Sequence, residues 1–278
     1  MNSPVDLEHP LAVKIRKQMV VAISRFNMIE DGDRVMVCCS GGKDSTILLA
    51  LLNEIRKRAP YEYSLEGVLL DQKQPGFDAG DYLKFIDRLG VKLTVVERDT
   101  YSIVKSKITG GVYCSLCSRL RRAILYDHAV EQGFTKMALG HHRDDLNQTL
   151  LLNLFYTGKM ASMPAKLRSD DGRNILLRPL VFVEEKDLIS LAKIWGFPVI
   201  PCNLCGSQTG MKRQRIKQLI RELEAEIPML QNSMLTAQAN VRRTQLLDAK
   251  LCDFSALRVE DLEEAGLDHF TGLSSNLD

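Results

Sequence analysis

The chain has 278 residues, of which 45% are apolar and 26% are charged, and its formal net charge is +2. This composition is typical of a soluble globular protein, and no apolar run is long enough to span a membrane, so a membrane-embedded protein is excluded. Because the first residues lack a signal-peptide pattern, we expect a cytoplasmic location, where seven cysteines favour metal or redox chemistry over a disulfide framework.

Strands and helices are predicted to alternate along most of the chain. An amphipathic pattern over 11–26 predicts an N-terminal helix, and β-branched apolar runs then alternate with longer amphipathic segments. Strands are predicted near 34–39, 64–71, 92–97, 135–139 and 174–177, and helices near 45–58, 79–89, 116–132, 144–157 and 184–195. This order predicts an α/β fold with a parallel sheet flanked by helices on both faces.

The domain organisation is expected to follow the changes in this pattern. Residues 1–29 are predicted to form an N-terminal helical segment and 30–200 the α/β domain. Residues 201–278 are predicted to form a helical C-terminal region with a disordered end. Within the α/β domain, the Ser, Asp, Gly and Lys content of 160–173 predicts a surface loop.

The first predicted strand ends at a glycine-rich turn, Ser40–Ser45. Its two glycines permit a tight turn and a close approach of the backbone to a ligand. The helix that follows presents unpaired N–H groups and the positive end of its dipole, so the turn is a predicted phosphate site. It is not a Walker A loop, because Asp44 follows Lys43 and Val37 occupies the position of the first glycine.

This turn, Ser-Gly-Gly-Lys-Asp-Ser, resembles the PP-loop of ATP pyrophosphatases, which bind ATP and cleave it between the α and β phosphates. The resemblance implies that nucleotide is bound by Ser40, Gly41, Gly42, Lys43, Asp44 and Ser45. An ordinary glycine turn is the plainer alternative, and the match at every position between a strand and a helix favours the PP-loop.

Two further polar groups follow predicted strands. Asp71 ends the second strand, and Gly140–Asp145 follows the fourth. Because ligands of such folds bind beyond the carboxyl ends of the strands, these residues and the glycine-rich turn should converge on one crevice. Asp144 and Asp145 open a predicted helix, so capping and Mg²⁺ binding compete as explanations for each carboxylate. The two adjacent histidines are expected to orient this loop.

Four of the cysteines form two CxxC pairs, Cys114 with Cys117 and Cys202 with Cys205. Four thiolates at this spacing suit a zinc ion or an iron–sulfur cluster, whereas a single pair would suit a redox dithiol. The two adjacent cysteines in the first predicted strand are expected to be small buried side chains.

The glycine-rich turn is one of several motifs that occur in order along the chain. They are Ser40–Ser45, Asp71–Phe77, Cys114–Arg122, Gly140–Asp145, Pro201–Gln208, Asn232–Leu235 and Asn240–Arg242. Together they resemble the tRNA 2-thiocytidine synthetase family (TtcA), over most of the chain. The resemblance implies an adenine nucleotide α-hydrolase-like fold and an enzyme that replaces O2 of cytidine 32 in the tRNA anticodon loop by sulfur.

The resemblance also implies the cofactors ATP, Mg²⁺ and a [4Fe–4S] cluster. By motif the cluster would be held by Cys114, Cys117 and Cys205, with Cys202 as a spare thiol. The implied catalytic residues are Lys43, Asp44, Asp144 and Asp145. Asp44 would also bind Mg²⁺, and Asp71 and Gly140 would join the PP-loop residues in binding nucleotide.

Basic residues follow both CxxC pairs. Arg121 and Arg122 follow the first pair, and Arg213, Lys217 and Arg221 follow the second at the spacing of one helical stripe. A solvated helix face is the ordinary explanation of such a run. Its position directly after a candidate cluster ligand favours contacts with the tRNA backbone.

The expected partners are tRNA and a sulfur donor such as a cysteine desulfurase, and a homodimer is an open alternative to a monomer. Two other functions remain open from the residues alone. One is a PP-loop tRNA-modifying enzyme that acts on another base. The other is a non-catalytic tRNA-binding module in which one Zn²⁺ is held by Cys114, Cys117, Cys202 and Cys205.

Overall fold

The structure, a computed structural model, describes residues 4–107, 113–200 and 208–258, and it confirms the predicted α/β fold. The strands are β1 (Arg34–Cys39), β2 (Ser64–Asp71), β3 (Leu93–Glu97), β4 (Lys136–Ala138), β5 (Lys166–Arg168) and β6 (Ile175–Leu177). The α-helices are α1 (Pro10–Arg25), α2 (Lys43–Arg58), α3 (Gly80–Arg88), α4 (Thr100–Lys107), α5 (Tyr113–Glu131), α6 (Arg143–Thr157), α7 (Glu185–Trp195), α8 (Gln208–Glu226) and α9 (Leu230–Gln238).

The strands form one sheet in the order β3-β2-β1-β4-β6-β5. Neighbouring strands are parallel except for β5, which runs antiparallel to β6. The chain moves outward from β1 first through β2 and β3, and then to the other side through β4. The carboxyl ends of β1 and β4 therefore form the topological switch point at which folds of this kind bind ligands.

Two elements differ from the sequence prediction. Residues 160–173, predicted as a surface loop, contain β5, in which Leu167 lies opposite Leu176 of β6. The helix α4 was also not predicted. A three-residue strand and a short helix contain too few residues to show a clear period in the sequence.

The alternating side chains of the strands form a core on each face of the sheet. Val35 and Val37 of β1 pack with residues of α1, α2, α3 and α7. Met36, between them, packs on the opposite face with Leu125 and Ala129 of α5. Burial on both faces explains why the central strands appear in the sequence as continuous apolar runs.

The chain forms two compact units, Met1–Leu235 and Thr236–Asp278. The first contains the whole sheet, and α1 contributes fully buried side chains such as Ile15 and Met19 to its core. The described part of the second contains one 3₁₀ helix, Arg243–Gln245. Within the described residues, no helix combines the length and the apolar character that a membrane span requires.

Candidate nucleotide-binding and thiolation site

The glycine-rich turn Ser40–Ser45 connects the end of β1 to the start of α2. Gly41 has a φ of +75°, a conformation that side chains other than glycine rarely adopt, and Gly42 is the N-terminal cap of α2. The unpaired N–H groups and the positive dipole end of α2 are therefore directed to the carboxyl end of the central strand. This is the arrangement that the sequence predicted for an anion site.

The hydroxyl groups of the turn bond to the turn itself. Ser45 Oγ accepts a hydrogen bond from the Ser40 N–H at 3.1 Å, and it lies 3.2 Å from Ser40 Oγ. Ser40 Oγ in turn accepts from the Gly42 N–H at 3.3 Å. These bonds fix the shape of the loop. The charged side chains are paired as well, because Lys43 Nζ lies 3.0 Å from the Asp44 carboxylate.

The Gly140 loop packs directly against this turn. A Cβ atom on Gly140 would lie 3.0 Å from the Ser45 backbone nitrogen and 3.2 Å from the Asp44 carbonyl carbon. Only a residue without a side chain allows the end of β4 to approach the start of α2 so closely. The predicted convergence of these two strand ends is thus present in the fold.

The two adjacent aspartates at the start of α6 have different surroundings. Asp145 Oδ2 accepts from the His142 N–H at 3.3 Å and so caps its own helix. Asp144 Oδ2 accepts from the Glu185 N–H at 2.9 Å, at the first residue of α7. Asp144 is buried and connects two helix N-termini, whereas Asp145 lines the cavity described below.

Residues of α6 that the sequence did not single out anchor it to the end of the first unit. Arg143 is buried and donates to Asn232 Oδ1 at 2.7 Å. Asn147, which is also buried, donates to the Gln231 carbonyl at 2.9 Å. The Asn232 motif therefore has a structural role in holding α6 in place. The partners lie more than 80 residues away along the chain, so the sequence of α6 gave no signal of these bonds.

A cavity of about 450 Å³ opens at the carboxyl ends of β1 and β4. One wall is formed by Ser40, Asp44, Ser45, Gly140, His141 and Asp145. The lining also includes Ser118, Arg121, Arg122 and Tyr126 of α5, together with Arg178. The structure thus brings the PP-loop and the basic segment after the first CxxC pair to one space. Among the described residues, the lining of the cavity does not include Gly41, Gly42, Lys43 or Asp71.

Asp71 lies at the end of the neighbouring strand β2. Its carboxylate accepts from the Lys73 N–H at 2.7 Å and lies 3.1 Å from Lys73 Nζ. The next residue, Gln72, is buried and accepts from the Thr100 hydroxyl at 3.1 Å. Gln72 Oε1 also accepts from Cys117 Sγ at 3.2 Å, so the end of β2 positions this thiol.

Of the candidate cluster ligands, Cys117 is half-buried in α5 and Cys114 lies one helical turn earlier. Cys202 and Cys205 lie outside the described residues. Ile200, the last described residue before them, donates its N–H to the Gly41 carbonyl at 2.9 Å, and its side chain covers Gly41. The approach to the second CxxC pair is therefore bound to the PP-loop. An apolar residue before Pro201 gave no signal of this contact in the sequence.

Two residues of the predicted basic stripe of α8 contact neighbouring helices. Lys217 Nζ donates to Glu185 Oε1 at 2.7 Å, and Arg213 donates to Thr149 Oγ1 at 3.3 Å and lies 3.9 Å from Asp145 Oδ1. Arg221 is exposed. Arg213 therefore lies beside the candidate nucleotide site, and the ammonium group of Lys217 is bound to α7.

Burial sets the protonation of two kinds of side chain around the cavity. Burial and the nearby Arg178 lower the pKa of His141 to about 4, so this ring is neutral at pH 7 and adds no charge to a phosphate site. Burial raises the pKa of Cys38 and of Cys39 to about 12, so both thiols are protonated. Cys39 is buried, as the sequence indicated, whereas Cys38 is partly buried, and both line the cavity.

Comparison with known proteins agrees with this geometry. A family model described as a PP-loop domain matches residues 11–223. A protein named tRNA-cytidine(32) 2-sulfurtransferase from Bdellovibrio bacteriovorus is 61% identical over 258 residues, which cover 93% of this chain and 100% of that protein. A protein of the same name from Hahella chejuensis is 52% identical over 250 residues, which cover 90% of this chain and 88% of that protein.

Among solved structures, the chain is similar to the U34-tRNA thiolase NcsA from Methanococcus maripaludis with its [4Fe-4S] cluster. The two share a TM-score of 0.67 and 21% identity, over 82% of this chain and 78% of the other. This likeness supports the fold described above.

Proposed function

The chain belongs to the tRNA-cytidine(32) 2-sulfurtransferase family of PP-loop proteins, and from this membership we propose that it uses ATP to thiolate cytidine 32 of the tRNA anticodon loop. The supporting observation is the cavity at the ends of β1 and β4, which is lined by residues of the PP-loop and of the basic segment of α5. A nucleotide on the PP-loop and a base passing α5 would meet in this space.

The PP-loop Ser40–Ser45 is assigned to the phosphates of ATP. Lys43 Nζ lies 3.0 Å from the Asp44 carboxylate, so the two side chains form an ion pair. A triphosphate with its metal offers each of them a stronger partner, because the ammonium group can bind a phosphate oxygen and the carboxylate can bind the cation. The Ser40 and Ser45 hydroxyls keep the loop in shape, so their removal should weaken the site indirectly.

Asp44 and Asp145 are the carboxylates that fit Mg²⁺, because both line the cavity and offer hard oxygen ligands. Asp144, assigned from the sequence as a catalytic candidate, has an acceptor role at α7 and is proposed as a positioning residue. Mg²⁺ at this place would neutralise charge that develops on the pyrophosphate leaving group. Gly140 is assigned to nucleotide binding through its packing on the PP-loop, and Asp71 through its place at the end of β2.

The cysteines are assigned to a [4Fe–4S] cluster through Cys114, Cys117 and Cys205. In favour of this fit, the Cys117 thiol is half-buried beside Gln72, and the same helix continues into the cavity wall at Ser118 and Arg121. A cluster with three cysteine ligands would leave one iron to bind the sulfide that the reaction consumes.

The proposed reaction has two displacement steps. The O2 atom of cytidine attacks the α-phosphorus of ATP, and the bond to the β-phosphate oxygen breaks with pyrophosphate taking the electron pair. A sulfide nucleophile from a sulfur donor then attacks C2, and AMP leaves with the former O2 atom. The dipole end of α2 and Lys43 would stabilise the departing pyrophosphate.

The test uses anaerobic protein, ATP labelled at the α-phosphate, a sulfide source and an unmodified tRNA transcript. We expect 2-thiocytidine at position 32, with AMP and pyrophosphate formed in equal amounts. Lys43→Ala should lower this rate by about a hundredfold or more. Lys57→Ala, at the exposed far end of the same helix, is the matched control and should leave it unchanged.

Release of ADP and phosphate would contradict the proposed ATP chemistry, and thiolation of another base would contradict the proposed target. Iron and sulfide assays on the same preparation test the cluster. Stoichiometric zinc without iron would favour a structural metal site and remove the proposed route of sulfur.

A further inference from the structure

The C-terminal half of α6 exposes large apolar side chains. The exposed fractions are 55% for Phe155, 47% for Tyr156 and 43% for Leu154, and Met160 just beyond the helix is 69% exposed. Single exposed apolar residues are common on protein surfaces, but a contiguous group usually marks a place where something binds. This group has no role in the nucleotide site described above.

Of these side chains, Tyr156 lies on the side of α6 that leads to the cavity, and Phe155 is its neighbour on the helix. Asp145, at the start of α6, lines the cavity, and Tyr156 follows eleven residues later, which returns to the same side of a helix about 16 Å away. The first turns of α8 run beside it. Arg213 reaches Asp145 and Thr149, and Lys212 Nζ lies 4.7 Å from the centre of the Tyr156 ring.

Beyond Asp145, the parts of α6 and α8 that form this surface carry only basic charged side chains. Residues 146–168 and 208–221 contain no Asp or Glu. On α8 and just beyond α6 these segments carry Lys159, Lys212, Arg213, Arg215, Lys217 and Arg221, of which Lys217 is bound to Glu185. A second copy of the chain, docked through the same face, would place two such basic surfaces against each other, which is unfavourable. A polyanion with unpaired aromatic bases would complement both the positive charge and the exposed aromatic side chains.

We propose that the α6–α8 ridge, defined by Thr149, Phe155, Tyr156, Lys212 and Arg213, binds the single-stranded anticodon loop of tRNA. Unpaired bases stack on the two aromatic rings, and Lys212 and Arg213 contact the phosphates between them. The ridge continues to Asp145, so a loop held on it has its target base at the cavity. This inference rests on the proposed function and adds the surface that recognises the substrate.

Binding of two fluorescent RNAs to the full-length protein tests the ridge. One probe is a hairpin with the stem and the seven-nucleotide loop of the anticodon arm, and the other is the same stem as a blunt duplex. The double variant Phe155→Ala/Tyr156→Ala should bind the hairpin at least about tenfold more weakly, because stacking contributes about 1–3 kcal/mol per base. Its affinity for the duplex should not change.

Two further variants separate stacking from charge. Lys212→Ala should weaken hairpin binding and lower its salt dependence, because one phosphate contact is lost. Ile194→Ala, which removes an exposed apolar side chain from α7, is the matched control and should bind both probes like the wild type. Light scattering on each variant records the oligomeric state.

An unchanged hairpin affinity of the double variant overturns the ridge. Dissociation of a dimer with unchanged RNA affinity overturns it as well, and identifies the apolar group as a contact between copies. Thiolation of the full tRNA by the wild type is measured in parallel. If the wild type thiolates and the double variant binds normally, only the ridge fails. If the wild type neither binds nor thiolates tRNA, the proposed function fails and the ridge with it.

Discussion

A single methyl group added at Gly140 should weaken ATP binding as well as lower the stability of the fold. The Cβ atom of an alanine would lie 3.0 Å from the Ser45 nitrogen, 3.2 Å from the Asp44 carbonyl carbon and 3.3 Å from the Ser45 Cα atom. All three neighbours are backbone atoms, so no side chain can rotate away. The methyl group must push the end of β4 away from the first turn of α2, which is the turn that carries the PP-loop.

The size of the effect follows from these distances. Carbon atoms in good contact lie about 3.5–4.0 Å apart, so the two segments must separate by roughly half an ångström. Overpacking of this kind costs about 1–3 kcal/mol. For a chain of this length, we expect a melting temperature lower by roughly 2–10 °C. A shift of the PP-loop relative to Asp145 should in addition weaken ATP binding by about tenfold or more, because the phosphate contacts depend on position.

Gly90→Ala is the matched control for Gly140→Ala. Gly90 has a φ of +70° and open space around its Cβ position, so alanine there costs about 1–2 kcal/mol of backbone strain far from the PP-loop. Calorimetry and ATP titration of both variants provide the test. Both should melt earlier, and only Gly140→Ala should bind ATP more weakly. Equal ATP affinities with equal losses of stability would refute the argument that the two loops form one site.

Three further predictions concern the aspartates, the contact of Ile200 and the strand cysteines. Asp145→Asn should abolish most thiolation with little change in melting temperature. Asp144→Ala should mainly lower the free energy of unfolding, by about 1–3 kcal/mol, because the Glu185 N–H loses its acceptor. If instead Asp144→Ala abolished thiolation and Asp145→Asn lowered stability, the two roles would be exchanged. Ile200→Ala should lower the free energy of unfolding by about 2–5 kcal/mol and weaken ATP binding, because this buried side chain covers Gly41. Denaturant unfolding and ATP titration measure the two effects. An unchanged ATP affinity would show that the contact is only structural. Cys38 and Cys39 should resist iodoacetamide at pH 8 in folded protein and react in guanidinium, as read by mass spectrometry, because burial raises the pKa of both to about 12. Rapid labelling of the folded protein would show that the two thiols ionise more easily than this.

The sequence was sufficient for the parts of the fold that depend on local pattern. The central strands and most helices lie where alternating apolar runs placed them, because these elements are long and buried on defined faces. The PP-loop was recognisable because its function needs particular residues at consecutive positions, as at Gly41 and Lys43. The strand Lys166–Arg168 was not predicted, because three residues are too few to show a clear period in the sequence.

The roles of adjacent polar residues depended on contacts between distant segments, which a single sequence does not show. Asp144 and Asp145 are identical in type and neighbours in sequence, yet one bonds to Glu185, 41 residues further along, and the other lines the cavity. The same holds for the basic stripe of α8, where Lys217 is bound to Glu185. Within one run of basic residues on a helix, contacts with neighbouring elements thus decide which side chains pair within the protein and which stay exposed to a ligand.

The two CxxC segments illustrate how the fold could bring sulfur to an activated base. Cys117 is held by Gln72, directly after β2, and the chain that leads to the second pair is held at Ile200 by Gly41, directly after β1. β1 and β2 are adjacent parallel strands, so both attachments lie at the same edge of the sheet. A change in the PP-loop on binding ATP would therefore move the backbone that Ile200 contacts. We therefore expect ATP to change the environment of Ile200, and the Ile200→Ala variant, which keeps the backbone bond to Gly41, measures the contribution of the side-chain contact to ATP binding.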